Sequence, residues 1–159
     1  MAFDLTIRIT GQAGQGMQSV SHMMGKIFTR QGLYVFIHQD VESRIRGGHG
    51  FTQVRVRERP VQAPGEKVDL LIALDRGAVD ADLPDLADDG VMLYDPSTTG
   101  FQSDRPQCFA IPLDHLAEEH GKGKIMVNSV AAGAAFALLG VDLKPVSYTH
   151  LTLPTTPYV

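Results

Sequence analysis

Leu5-Thr6-Ile7-Arg8-Ile9-Thr10-Gly11-Gln12-Ala13-Gly14-Gln15-Gly16 is the stretch whose reading decides the fold. Leu5 to Thr10 alternates apolar and polar side chains, the period of a β-strand. The glycine-rich run Gly11 to Gly16 follows without a break. Beyond it Val20, Met23, Met24, Ile27 and Phe28 recur at i, i+3, i+4, i+7 and i+8, which predicts an amphipathic helix. Gly32 is placed to end that helix. Leu33 to Ile37 is a continuous apolar run and predicts a second strand. Strand, loop, helix and strand in this order form a βαβ unit, which calls for a parallel sheet with a crossover.

Working outward, residues 38–50 read as a polar loop. In Phe51 to Arg57, Thr52, Val54 and Val56 share one face of a predicted strand. Gln53, Arg55 and Arg57 take the other, as on a strand near an edge or a partner. Pro60 to Glu66 is turn-rich. Leu70 to Leu74 has the apolar continuity of a buried parallel strand, and Asp75 is placed to cap a short helix after it. Val91 to Tyr94 predicts a strand ended by Asp95-Pro96, and Phe109 to Ile111 a further short one. Leu113 to Glu119 predicts a helix. Val130 to Leu139 predicts the last, capped by Asn128 or Ser129 and closed by Gly140. The expected architecture is an α/β, Rossmann-like open sheet, mainly parallel, with helices on both faces.

The 159 residues suffice for one domain with a core of its own. A net charge of −4 gives no reason to expect a nucleic-acid or membrane-surface partner. The longest apolar stretch, Val130 to Val141, is too short to span a bilayer, so a cytoplasmic address is expected. The single cysteine, Cys108, lies in an apolar run and reads as a buried core thiol. It excludes an internal disulfide. It also excludes an iron–sulfur cluster held by this chain alone, since such clusters take about four thiolates.

The end of the chain changes style after Pro145. Val146 to Thr155 matches, codon by codon, the translation of a transposase-type sequencing adapter. The expectation is a domain over residues 1–145, incomplete at its C-terminus, followed by a non-native tail over residues 146–159.

Two constellations can carry chemistry. In the first, Gly11, Gln12, Gly14, Gln15 and Gly16 bring backbone N–H groups to a helix N-terminus, a geometry that suits an anion such as phosphate. The spacing is Gly-x-x-Gly-x-Gly, not the dinucleotide Gly-x-Gly-x-x-Gly, and no Lys-Ser/Thr follows as in a P-loop. A ligand-free tight turn is an equal reading of the loop taken alone. Asp40 lies where a ribose-binding carboxylate sits in dinucleotide folds, but after the strand and in a charged loop. The second constellation is Ser43, Arg44, Arg46, Gly47, Gly48 and His49. Two guanidiniums beside a bendable, amide-rich backbone suit phosphate or carboxylate, or the acids of a partner. His38, Asp40, Glu42 and His49 lack ordinary metal-ligand spacing.

GQAGQG, ESRIRGGHGFTQVRV, DLLIALD and NSVAAGAAFALLG occur in that order. Together they resemble the gamma subunit or gamma domain of the 2-oxoacid:ferredoxin (acceptor) oxidoreductases over about Phe3 to Lys144. ESRIRGGH is most similar to the branch in which that domain is fused ahead of the alpha subunit. Gln12-Ala13 and Gly50 depart from the family's commoner residues, which bears on ligand contacts more than on membership.

The resemblance implies oxidative decarboxylation of a 2-oxoacid, such as pyruvate or 2-oxoglutarate, to an acyl-CoA. Thiamine diphosphate, magnesium and iron–sulfur clusters are then held by partner domains, none by this chain alone. Coenzyme A is the co-substrate and ferredoxin the electron acceptor. Partners are the alpha and beta thiamine-binding units, with no nucleic acid and no membrane, and the choice of 2-oxoacid falls to residues outside this chain. No catalytic residue is expected here. Gly11–Gly16, Ser43, Arg44, Arg46, Gly47–His49 and Asn128 are the ligand or partner candidates, on the coenzyme A side or the alpha interface. Two other readings remain open: a free-standing Rossmann-type nucleotide-binding module, and a ligand-free assembly domain.

Overall fold

The computed structural model describes residues 3–41, 48–120 and 126–141. Its frame is one six-stranded mixed sheet in the order β2-β3-β1-β4-β5-β6. The strands are β1 (Asp4–Gln12), β2 (Tyr34–Val41), β3 (His49–Arg57), β4 (Val68–Ala73), β5 (Leu86–Tyr94) and β6 (Cys108–Ala110). β1, β4, β5 and β6 pair in parallel. β3 runs antiparallel to both β1 and β2. β2 therefore points the same way as β1, as a βαβ unit requires, with β3 inserted between them.

The helices are α1 (Met17–Arg30), α2 (Arg76–Asp82), α3 (Pro96–Thr99), α4 (Leu113–His120) and α5 (Val127–Leu138). α1 buries Met17, Val20, Met24, Ile27 and Phe28, most of the predicted stripe, and Met23 is only partly covered. These side chains join Ile7, Ile9, Val54, Val56, Leu70, Ile72 and the Ala131–Phe136 face of α5 in the larger core. Phe28 and Phe136 close it at a ring separation of 5.6 Å. On the other face Ala78 and Val79 of α2 pack over Leu71, Ala73, Met92 and Tyr94. That second layer covers β4 and β5.

Four local expectations are corrected. Residues 38–50 are not all loop: β2 continues to Val41 and β3 begins at His49, because cross-strand pairing carries the polar ends of both strands. β3 is an interior strand rather than an edge, and Gln53 is buried by its hydrogen bonds to Arg8 and Gly65. The last helix starts at Val127, so Asn128 lies inside its first turn and neither Asn128 nor Ser129 is the cap. Cys108 is half-buried at the rim of the smaller core, since the three-residue edge strand β6 leaves one side open. Asp75 does cap α2, accepting the Ala78 N–H at 2.9 Å. No helix among the described residues is long and apolar enough to cross a membrane.

Candidate functional site

The chain leaves β1 toward α1 on one face and leaves β4 toward α2 on the other. Adjacent strands whose connections diverge open a crevice beyond their C-terminal ends, the topological switch point of α/β sheets. Here it is a cavity of about 810 Å³. Gly14, Gln15, Gly16, Ser19, Val20 and Met23 form one wall, and Val127, Asn128 and Ser129 close it. Leu74, Asp75, Asp95, Thr98, Leu113 and Asp114 form the opposite wall.

The glycine loop has its shape for identifiable reasons. Gly14 and Gly16 have φ of 98° and 78°, a left-handed conformation that penalises any Cβ. A Cβ on Gly16 would also stand 2.6 Å from Asn128 Nδ2. The Gln15 side chain folds back, its Oε1 accepting the Gln12 N–H at 2.8 Å. Asn128 Nδ2 donates to the Gln15 carbonyl and ties α5 to the loop. Ala13 N–H donates to the Gly48 carbonyl at 3.0 Å, which joins the two constellations. Gly11, Gln12, Gly14, Gln15, Gly16, Gly48 and Asn128 are thus brought together, with Gly11 and Gln12 paired to Gly50 and His49 across β1 and β3. Ser43, Arg44, Arg46 and Gly47 lie outside the described residues.

His49 belongs to a different environment. Its Nε2 is 3.0 Å from Asp82 Oδ2, beneath the sheet face that carries α2. Asp82 also accepts the Thr10 hydroxyl and pairs with Arg8 Nη1 at 2.7 Å. Arg8 reaches Asp85 at 2.6 Å, bonds Gln53 Oε1 through Nε and Nη2, and stacks over Phe51 at 4.3 Å. The alternation Thr6, Arg8, Thr10 along β1 marks the side of the strand that carries this buried polar network.

Electrostatically the cavity is split. The start of α1 lines it through Gly16, Ser19 and Val20, at the positive end of the helix dipole; no side chain caps the helix at Gly16, and the Ser19 and Val20 amides donate to the Gly16 carbonyl. Across from them stand Asp75, Asp95 and Asp114. Asp75 and Asp95 are themselves helix caps, so the amides at those two N-termini already have carboxylates. Burial pushes the Asp95 carboxyl up. Hydrogen bonds from the Ser97 hydroxyl and from the Asp114, Ser97 and Leu113 amides outweigh that and hold it below the ordinary 3.8. Asp75 Oδ2 is buried without a hydrogen-bond partner among the described residues. The arrangement suits an elongated ligand with an anionic group at the α1 end and hydroxyl or amide donors at the other.

A dinucleotide fits less well. β3 stands between β1 and β2, so Asp40 sits one strand farther from the glycine loop than the ribose-binding acid of those folds, and does not line the cavity. Ser19, Asp95, Thr98 and Asp114 do not stand out in the sequence as site residues. The Asp95-Pro96-Ser97 capping pattern is the available signal, and its meaning depends on β5 ending beside β4.

Residues 6–151 match the model of a family described as pyruvate ferredoxin/flavodoxin oxidoreductase. The chain belongs to this family. It is 27% identical over 142 residues to the ketoisovalerate oxidoreductase subunit VorA of Methanothermobacter thermautotrophicus, covering 87% of this chain and 30% of the relative. Its fold matches the gamma subunit of a keto/oxoacid ferredoxin oxidoreductase from Geobacter sulfurreducens PCA, with TM-score 0.81 and 26% identity over 98% of this chain and 87% of that one. It also matches the 2-oxoglutarate:ferredoxin oxidoreductase of Magnetococcus marinus, with 2-oxoglutarate, coenzyme A and succinyl-CoA bound. There the TM-score is 0.77 and the identity 26%, over 87% of this chain and 25% of that one. The chain therefore spans less than a third of some family relatives and most of a separate gamma subunit of another.

Proposed function

We propose that this chain is the gamma-type unit of a thiamine-diphosphate-dependent 2-oxoacid:ferredoxin (acceptor) oxidoreductase, and that its switch-point cavity forms part of the coenzyme A side of the assembled site. The observation that carries the reading is the cavity itself, an uncapped helix N-terminus facing a wall of hydrogen-bond acceptors. Coenzyme A has phosphates for the first and ribose hydroxyl and amide donors for the second. Gly14–Gly16 and Ser19 then receive the anionic portion, Asn128 holds the loop in shape, and Asp75 Oδ2 gains a donor.

The chemistry of decarboxylation belongs to other units. One half-buried cysteine does not hold an iron–sulfur cluster, and the sequence has no Gly-Asp-Gly segment for thiamine. The partners in this reading are the alpha and beta thiamine-binding units, with ferredoxin accepting the electrons. Arg44 and Arg46 supply further cationic groups toward coenzyme A or the alpha unit.

The test is reconstitution of the alpha and beta units encoded with this domain, with and without it. Carbon dioxide release and acyl-CoA formation are followed separately. The expected result is no turnover by this chain alone and loss of acyl-CoA formation when it is left out. Equal acyl-CoA formation without it overturns the reading.

A further inference from the structure

Helix α5 differs from the other long helices in what it turns outward. α1 exposes Gln18, His22 and Lys26, and α4 exposes His115, Glu118 and Glu119, polar faces of the kind that water favours. From Ile125 to Val141 the sequence holds no charged side chain. α5 buries Ala131, Ala132, Ala135 and Phe136 in the larger core. On its opposite side Met126, Val130, Gly133, Ala134 and Ala137 recur at i, i+4, i+7, i+8 and i+11, a second apolar stripe. Ala137 is exposed, and Met126 and the neighbouring Leu138 are 39% and 43% exposed. A helix that is apolar all round belongs in an interior.

The stripe is open in the middle. A Cβ on Gly133 meets nothing within 4 Å, and the larger side chains Met126 and Leu138 stand toward the two ends. Glycine and alanine at the centre let a second helix approach closely. The stripe also adjoins the switch-point cavity: Val127, Asn128 and Ser129, in the first turn of α5, close that cavity, and Asn128 ties the turn to the Gln15 carbonyl.

We propose that an apolar helix of the alpha unit packs along this outer face of α5, with a bulky aliphatic side chain over Gly133. The location selects the occupant, because the cavity beside the stripe is part of a site that the thiamine-binding units complete. A charged helix would lose its water there without gaining a partner, at a cost in desolvation. A second copy of this chain would bring no thiamine centre to the cavity. Larger relatives carry most of their length outside the part that this chain matches, ample for such a helix. The choice of the alpha unit rests on the gamma-unit reading; the apolar face itself does not.

The test sets a carboxylate on the stripe, as Gly133→Glu and separately as Ala137→Glu in the full chain. Lys26→Glu, on the exposed face of α1, is the control and changes the charge by more. Affinity for the alpha and beta units is read from the anisotropy of the fluorescein-labelled chain, and folding from the thermal midpoint of the chain alone. Both stripe variants are expected to bind about tenfold more weakly or worse, and the control like wild type. The midpoint of Gly133→Glu should equal or exceed that of wild type, since glutamate is a better helix former than glycine. Stripe variants that bind as tightly as wild type, or a control that weakens equally, overturn the proposal. So does a lowered midpoint for Gly133→Glu, which means that the chain covers this face itself. A dimer of this chain that excludes the alpha unit and that Gly133→Glu dissolves overturns it in favour of a second copy. Failure of the wild-type chain to join alpha and beta at all overturns the gamma-unit reading as well.

Discussion

Ile7 and Ile9 leave β1 on one side, and Arg8 and Thr10 leave it on the other. All four are buried, in opposite kinds of surroundings. The isoleucines join the apolar cluster formed with β3, β4 and the helices above them. Arg8 and Thr10 enter a network in which Asp82, Asp85, Gln53 and His49 answer one another's polar atoms. The apolar side is non-directional, and its worth scales with area. The polar side depends on every partner being present, because an unanswered charge in a dry interior is costly. Through Gln53 and His49 it also holds β3 beside β1.

The largest effect should therefore come from breaking the polar side. Arg8→Met keeps much of the side-chain volume but leaves Asp82, whose side chain is only 5% exposed, without its guanidinium. The expected loss is about 3–5 kcal/mol of unfolding free energy, read from urea denaturation. A loss under about 1 kcal/mol would mean that water or Thr10 and His49 satisfy Asp82 unaided. On the apolar side, Ile9→Val removes one methylene with no polar consequence and should cost about 0.5–1.5 kcal/mol. If the two substitutions proved equal, the contrast between the faces would collapse.

The smallest effect concerns pH. Asp95 lies below its ordinary value in the folded chain because of the hydrogen bonds it accepts. A depressed carboxylate adds stability that is present above the unfolded value and lost as pH falls through the folded one. Asp4, hydrogen-bonded to Arg55 and close to Arg57, acts in the same sense. Asp69 acts in the opposite one: burial raises it, repulsion from Asp89 and Asp4 adds to that, and the Thr6 N–H offsets part of it. Asp95→Asn should flatten the acid limb of the stability curve below about pH 4 and leave the neutral region parallel to wild type. An unchanged acid limb would show that the Ser97 and Asp114 hydrogen bonds do not favour the charged form.

The two faces are unequally legible in the sequence. Helical spacing from Val20 to Phe28 and the apolar run Leu70 to Leu74 reveal the larger core, because burial against a sheet imposes a period that one chain segment displays by itself. The glycine loop is visible for the same reason: its left-handed residues are a local demand. The insertion of β3 between β1 and β2 is not visible. It depends on pairing between segments far apart in sequence, and the βαβ pattern is satisfied with or without it. The Arg8 network is hidden too, since no local pattern joins Asp82 and Asp85 to Arg8 until α2 folds back over β1. Asn128 stands out in the sequence as a candidate, but its position suggests a cap for its own helix. The structure instead makes it a tie to the Gln15 carbonyl, a contact between segments that no local pattern announces.

In the proposed assembly the α1 end of the switch-point cavity receives an anionic portion of coenzyme A. Ser19 lines that end and is exposed in the first turn of α1, where a carboxylate suits the helix dipole and does not threaten the fold. In the reconstituted enzyme, Ser19→Glu should raise the Michaelis constant for coenzyme A about tenfold or more, as expected when a charge is set against a bound anion. Thiamine-dependent release of carbon dioxide from the 2-oxoacid, measured before coenzyme A is added, should stay at the wild-type rate. An unchanged Michaelis constant in an intact complex would place the coenzyme A phosphates elsewhere.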